Sequence, residues 1–246
     1  MLTEKVAIIT GASGGIGLET VKVFAEQGAI IWACAHRQSD EFESKIQEIA
    51  NKNTTIVTPI YFDVTEKEEI KNAIKMIIKN SKKIDVLVNN AGISIERLLH
   101  MTSSDMIKKT MEINFLSQVF LTQLVSRYMI KAKSGNIVNI ASVSGIEGKK
   151  GGIAYGSSKA SIIFSTKTIA RELGPYGIRV NSVSPGFIAT GMWEGRNGEL
   201  KDKILNETPL QRQGMPREVA NVILFLASEL SSYITGQNVV VDGGRI

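Results

Sequence analysis

Tyr155 and Lys159, four residues apart, are the pair in this sequence whose types and spacing point most directly to chemistry. They open a stretch of helical pattern, and residues four apart share a helix face, so phenol and ammonium should lie side by side. A free phenol has a pKa of about 10, and work as a proton donor near neutrality asks for a fall of about 3 units, or about 4 kcal/mol. An ammonium ~4.5 Å away supplies roughly 3.5–4 kcal/mol at an effective dielectric of about 20. Ser142 follows an apolar run ending at Ala141 and adds a hydroxyl that can hold a carbonyl oxygen beside the phenol. Taken singly, Ser142 and Ser144 also read as ordinary loop serines.

A second constellation is Thr10-Gly11-Ala12-Ser13-Gly14-Gly15-Ile16-Gly17. Glycines between a strand and a helix let a pyrophosphate approach bare backbone N–H groups at the helix start. The spacing Gly11-x3-Gly15-x-Gly17 differs from the common G-x-G-x-x-G, so its placement carries the reading. The same residues fit the G-x-S-x-G nucleophile elbow of hydrolases, which needs a histidine later in the chain. The two histidines, His36 and His100, leave the last 146 residues without one, which removes that reading. At the end of the second strand pattern an acid would hydrogen-bond the adenosine ribose and favour NAD(H). The sequence there is Ala35-His36-Arg37, with no carboxylate before Asp40. Arg37 suits a 2′-phosphate, which favours NADP(H) over NAD(H). The plain alternative for Arg37 is a solvated loop residue.

Short Val/Ile-rich runs at 6–10, 30–35, 55–61, 86–88, 137–141, 179–184 and 239–241 read as strands. Helical patterns at 16–27, 40–51, 66–80, 104–132 and 155–173 alternate with them. Near-continuous apolar strands imply a sheet covered on both faces. The predicted fold is α/β, a single doubly wound (Rossmann-type) domain over residues 1–246. Its parallel sheet has about seven strands, with helices on both faces and ligands at the strands' carboxyl ends.

Composition agrees with a globular α/β chain: 246 residues, 43% hydrophobic, 22% charged, mean hydropathy +0.04. Cys34 stands alone, so no disulfide framework is expected, and a reducing, cytoplasmic setting follows. No run approaches the roughly 20 apolar residues of a membrane span. The net charge of +5 suits anionic ligands such as phosphates, coenzyme A or an acidic carrier protein. The basic residues are dispersed, without a basic arm or interleaved aromatics, which speaks against nucleic acid. No metal-ligand pattern is present.

Together, Thr10-Gly-x3-Gly-x-Gly17, Asn89-Asn90-Ala91-Gly92, Asn114, Ser142, Tyr155-x3-Lys159 and Pro185-Gly186 resemble the short-chain dehydrogenase/reductase family in order and spacing across the whole chain. The resemblance implies a catalytic tetrad of Asn114, Ser142, Tyr155 and Lys159. In it Tyr155 protonates the carbonyl oxygen, Ser142 orients it, Lys159 also grips the nicotinamide ribose, and Asn114 anchors a proton-relay water in a distorted helix. It further implies cofactor contacts from Gly11, Ser13, Gly14, Ile16, Gly17 and Gly92, from Asp63 and Val64 at the adenine, and from Asn90 and Ala91 at the adenosine ribose. Pro185, Gly186, Ile188 at the carboxamide and Thr190 near the phosphates complete that set.

Within the family the chain resembles the 3-oxoacyl-[acyl-carrier-protein] reductases. The cues are Asn90-Ala91-Gly92-Ile93, Ile137-Val138-Asn139-Ile140, Pro185-Gly186-Phe187-Ile188-x-Thr190-x-Met192, Tyr233-Ile234-Thr235-Gly236-Gln237 and Val241-Asp242-Gly243-Gly244. This implies NADPH-dependent reduction of a 3-oxoacyl thioester on a carrier protein or coenzyme A. A dehydrogenase of sugars, polyols or other small alcohols is the alternative, and a non-catalytic cofactor-binding regulator a remoter one. Gly14 departs from the Arg or Lys many NADPH-using members carry. Of two basic carrier-docking positions near the active-site mouth, Lys133 matches one and Tyr176 replaces the other. Residues 193–200, with Trp193, Glu194 and Arg196, are expected to form the substrate-covering loop. A homotetramer is expected, with helices 104–132 and 155–173 at one interface and the strand near Val239 at another.

Overall fold

The computed structural model describes residues 1–191 and 198–246. Among them, seven strands form one sheet: β1 (Val6–Thr10), β2 (Ile30–Ala35), β3 (Val57–Tyr61), β4 (Val86–Asn89), β5 (Gly135–Ile140), β6 (Ile178–Pro185) and β7 (Asn238–Val241). The helices are α1 (Gly15–Glu26), α2 (Asp40–Asn53), α3 (Lys67–Ser81), α4 (Ser104–Met111), α5 (Ser117–Ala132), α6 (Ile153–Leu173), α7 (Gly198–Glu207) and α8 (Pro216–Ala227). The strand order is β3-β2-β1-β4-β5-β6-β7 with every pair parallel. The α/β doubly wound expectation holds.

The apolar strands follow from this layering. Ile8 and Ile9 are both fully buried yet point to opposite faces, as successive strand residues must. Ile9 joins Phe24, Ile46 and Ile223 under α1, α2 and α8. Ile8 joins Ile74, Leu121 and Met129 under α3 and α5. Each buried side chain of that size stabilises the fold by about 1.5–3 kcal/mol, so both faces select apolar residues.

The winding direction reverses between β1 and β4, and parallel strands open a crevice at such a point, beyond their carboxyl ends. One expectation needs refinement. The helical pattern 104–132 is two helices joined by a π-helical turn, Glu112–Leu116, with Asn114 inside it. The apolar period runs straight through, so the extra residue in the turn leaves little trace in the pattern.

Candidate active site

The glycine turn is built by steric need at a few positions. Gly11 and Gly15 have φ of +65° and +53°, where a side chain is strained. A Cβ on Gly17 would fall 2.1 Å from the Gly11 carbonyl oxygen and 2.6 Å from Asn90 Nδ2. Thr10 Oγ1 laces this turn to β4: it accepts from the Asn90 and Ala91 amides at 2.9 and 3.0 Å and donates to Val88 O at 3.3 Å. Asn90 Nδ2 returns bonds to the Thr10 and Gly11 carbonyls.

Helix α1 begins here without a capping side chain or an acid in its first turn. By contrast, α2 is capped by Ser39, whose Oγ accepts from Phe42 N, and carries Asp40, Glu41 and Glu43 in its first turn. The unshielded positive end of α1, over a cradle that a Cβ at Gly17 would fill, fits a dinucleotide pyrophosphate.

Tyr155 and Lys159 lie in the first turns of α6, both buried. The Lys159 ammonium stands 5.8 Å from the Tyr155 ring centroid. It donates to Ile140 O at 2.7 Å, at the carboxyl end of β5. Burial pushes its pKa down to about 8. It therefore remains a cation at neutral pH, at the expense of desolvation.

The loop carrying Ser142 is pressed onto α6. A Cβ on Gly145 would come within 2.6 Å of the Lys159 carbonyl carbon, and one on Gly156 within 2.6 Å of Ser144 O. Ser142 Oγ accepts from Ser144 N at 3.2 Å, so its hydroxyl hydrogen can be offered elsewhere.

Asn114 is fully buried in the π turn. Its Nδ2 donates to Ile93 O at 2.9 Å and Ser158 Oγ at 3.0 Å, and its Oδ1 accepts from Ile93 N at 2.8 Å. Both amide hydrogens are committed, so this side chain acts as a brace between the Gly92 segment and α6. Ser158 Oγ continues the brace to Tyr155 O at 2.7 Å.

One cleft of about 750 Å³ gathers Ser142, Tyr155 and Lys159 with Gly11, Ser13, Gly14, Ile16, Asn90, Ala91 and Gly92. Pro185, Gly186, Ile188 and Thr190 close the other side. Gly17 and Asn114 support the wall without lining it. Arg37, Asp63 and Val64 stand apart from the cleft, around the carboxyl ends of β2 and β3. Arg37 is exposed there, and the His36 Nε2–Asp63 Oδ2 distance is 3.2 Å. Asp63 also accepts from Thr65 N and Oγ1, which with His36 holds its carboxyl below the usual range despite partial burial.

One sequence expectation meets a different outcome within the chain, and another falls outside the described residues. Lys133 and Tyr176 are exposed neighbours, since a Cβ on Gly177 would sit 2.7 Å from Lys133 O. They precede β5 and β6, at the amino ends of those strands. Within the chain they are therefore about 20 Å, a six-residue strand length, from the cleft mouth. Trp193, Glu194 and Arg196 lie outside the described residues. Conversely, the sequence reading overlooked Thr10 as a clamp, Ser158, and Glu147, Glu207 and Arg245, which also line the cleft. The position of Thr10 directly before Gly11 was a usable signal. Nothing local marks Arg245.

The family model described as enoyl-(acyl carrier protein) reductase matches residues 11–245. A 3-oxoacyl-[acyl-carrier-protein] reductase of Thermotoga maritima is 42% identical over 245 residues, covering 100% of this chain and 99% of that protein. Proteins of the same name from Chlamydia pneumoniae and Synechocystis sp. are 41% and 40% identical, covering 99% and 100% of this chain and 97% and 98% of theirs. The chain belongs to the short-chain dehydrogenase/reductase family. As a member it is an oxidoreductase working between a CH–OH group and its carbonyl. Among the described residues no helix is long and apolar enough to cross a membrane, and no cluster of His, Cys, Asp and Glu could hold a metal ion.

Proposed function

We propose that this reductase converts the 3-oxo group of an acyl thioester, carried by acyl carrier protein or coenzyme A, to the 3-hydroxy product with NADPH. The observation that carries the proposal is the buried Lys159 ammonium beside Tyr155, in the same cleft as Ser142 and the glycine turn. The names of the relatives support the substrate class. Arg37, with no carboxylate at the end of β2, supports the phosphorylated cofactor.

In this reading the bound cofactor supplies hydride to the carbonyl carbon. The chain's own residues handle the oxygen. Ser142 donates a hydrogen bond to it, and Tyr155 delivers the proton as negative charge grows there. The ammonium of Lys159, 5.8 Å from the ring centroid, lowers the cost of the phenolate left behind; a unit charge about 4–6 Å away contributes roughly 3–4 kcal/mol at an effective dielectric of about 20. Lys159 also holds the nicotinamide ribose, and Asn114 keeps the Gly92 segment and α6 in register. Gly11, Ser13, Gly14, Ile16 and Gly17 form the pyrophosphate seat, and Arg37 holds the 2′-phosphate. Asp63 and Val64 meet the adenine, while Asn90, Ala91 and Gly92 line the adenosine ribose. Pro185, Gly186, Ile188 and Thr190 border the nicotinamide side. The chain acts as one domain over residues 1–246 and as a cytoplasmic homotetramer. Phe164, 73% exposed on α6, and the sheet edge at β7 support the assembly.

Cofactor oxidation tests the proposal, with acetoacetyl-CoA, an acetoacetyl carrier protein, a trans-2-enoyl thioester and a sugar panel as substrates. Consumption of NADPH with the 3-oxo thioesters is expected, and Tyr155→Phe should lose about a hundredfold or more in turnover while still binding NADPH. Consumption only with sugars and NADH, or only with the enoyl thioester, overturns the substrate reading. Near-normal turnover in Tyr155→Phe overturns the proton-donor role.

A further inference from the structure

Arg245 follows β7 and lines the same cleft as Ser142 and Tyr155. Its approach is fixed by the backbone before it. Gly243 and Gly244 take φ of +72° and +87°, and the Asp242 carboxylate accepts from Gly244 N at 2.9 Å and Ile246 N at 2.8 Å. Its side chain is 21% exposed, and one guanidinium nitrogen stands 3.5 Å from Glu147 Oε2 and 3.4 Å from Glu207 Oε2. Charge-assisted hydrogen bonds ordinarily close to about 2.7–2.9 Å, so neither acid grips it firmly. Its Nε–H is buried with no acceptor among the described residues. A mostly enclosed cation on the cleft wall can turn its exposed edge toward an incoming oxygen, because both of its ion pairs are long.

Besides Arg245, further charged side chains line the cleft together with apolar ones such as Phe187 and Ile204. Lys149 pairs with Glu96 at 2.7 Å, and Lys203 stands 3.8 Å from Glu207, all four lining the cleft. A saturated alkyl chain laid against these ions would strip water from them and return no hydrogen bond. An acyl group carrying oxygen would instead meet the exposed part of the guanidinium.

We infer that Arg245 is a specificity-determining residue, making the site select 3-oxoacyl groups that bear an oxygen acceptor beyond the reacting carbonyl, a carboxylate above all. The inference rests on the reductase reading above. Carrier phosphates share this oxyanion chemistry, so the test must separate the two sources.

The kcat/KM values for 3-oxoadipyl-CoA and 3-oxohexanoyl-CoA, equal in chain length and identical in phosphates, are compared in the parent protein and in Arg245→Leu, Arg245→Gln and Arg245→Lys. The same acyl pair on N-acetylcysteamine repeats the comparison without phosphates. The parent should favour the ω-carboxylate by about tenfold or more. Arg245→Leu and Arg245→Gln should abolish or reverse that ratio, and Arg245→Lys should retain part of it. A parent preference for the plain chain, or an equal loss on both acyl groups, overturns the inference. An Arg245→Leu loss that follows coenzyme A against N-acetylcysteamine, whatever the acyl group, assigns the residue to phosphate instead and also overturns it. A parent protein that reduces none of the four thioesters fails at the reductase reading itself, which is a separate result.

Discussion

Lys159 shows how one residue can serve chemistry against stability. Its ordinary pKa of 10.5 is pushed down to about 8 by burial alone. Between those values the unfolded chain holds a proton that the folded chain has released, so this site's contribution to stability rises with pH from about 8 to 10.5. Below about 8 the folded state carries the buried charge at its full cost of roughly 3 kcal/mol. Lys159→Met should therefore raise the thermal midpoint at pH 7 by a few degrees, even after losing the bond to Ile140 O, with the gain fading toward pH 10. Turnover should vanish in the same variant. Thermal unfolding of the cofactor-free protein at several pH values checks this, and an unchanged or lower midpoint at pH 7 would show that the ammonium costs nothing. Arg37 works in the other direction, as an exposed cation whose value lies in a ligand. Arg37→Ala should weaken NADPH by about tenfold or more while leaving NADH nearly unaffected; titration of both nucleotides decides it, and equal losses remove the 2′-phosphate role.

At the level of elements, the strand-to-helix turn and the π turn do the positioning. Gly17 sits where α1 presses on the turn it leaves, and a Cβ there meets a backbone oxygen that cannot yield. Gly17→Ala should lower unfolding free energy by about 1–3 kcal/mol and remove nucleotide binding. Gly14→Ala is the contrasting variant, because Gly14 is extended and a Cβ finds nothing within 4 Å. Equal effects of the two substitutions, measured by denaturant unfolding and nucleotide titration, would contradict this account. The sequence motif offers both glycines alike, and only the packing of α1 against Gly11 separates them. The π turn is similar. Asn114 was identifiable by resemblance, but its bonds reach Ile93 and Ser158, 21 and 44 residues away, and no local pattern encodes them.

For the molecule as a whole, distant segments are closed around the sheet by a few buried polar groups. Arg179, on β6, donates to Leu226 O and Ser228 O at the end of α8 and to Ile234 O before β7. Its partial burial is compensated by those three carbonyls, which Asn181 Nδ2 and Ser231 Oγ also engage. Arg179→Met should lower stability by about 2–4 kcal/mol, with loss of the β7 edge, while apolar stem packing is largely kept. Denaturant unfolding checks the magnitude, and hydrogen exchange at residues 238–241 checks the location. A shift below about 0.5 kcal/mol would place the closure elsewhere.

The amino-acid order alone determined the strand-helix alternation, the glycine turn and the Tyr155–Lys159 pair, because each is a short-range pattern of period two, period 3.6 or fixed spacing. Tertiary structure decided the rest. Packing placed Ile140 O under the Lys159 ammonium, pressed Gly145 against the Lys159 backbone and Ser144 against Gly156 so that Ser142 borders Tyr155's cleft, and turned Arg245 in beside Glu147. It also set Lys133 and Tyr176 at the amino ends of their strands. Such relations join segments tens of residues apart, and they exist only once a parallel sheet fixes which strand ends meet.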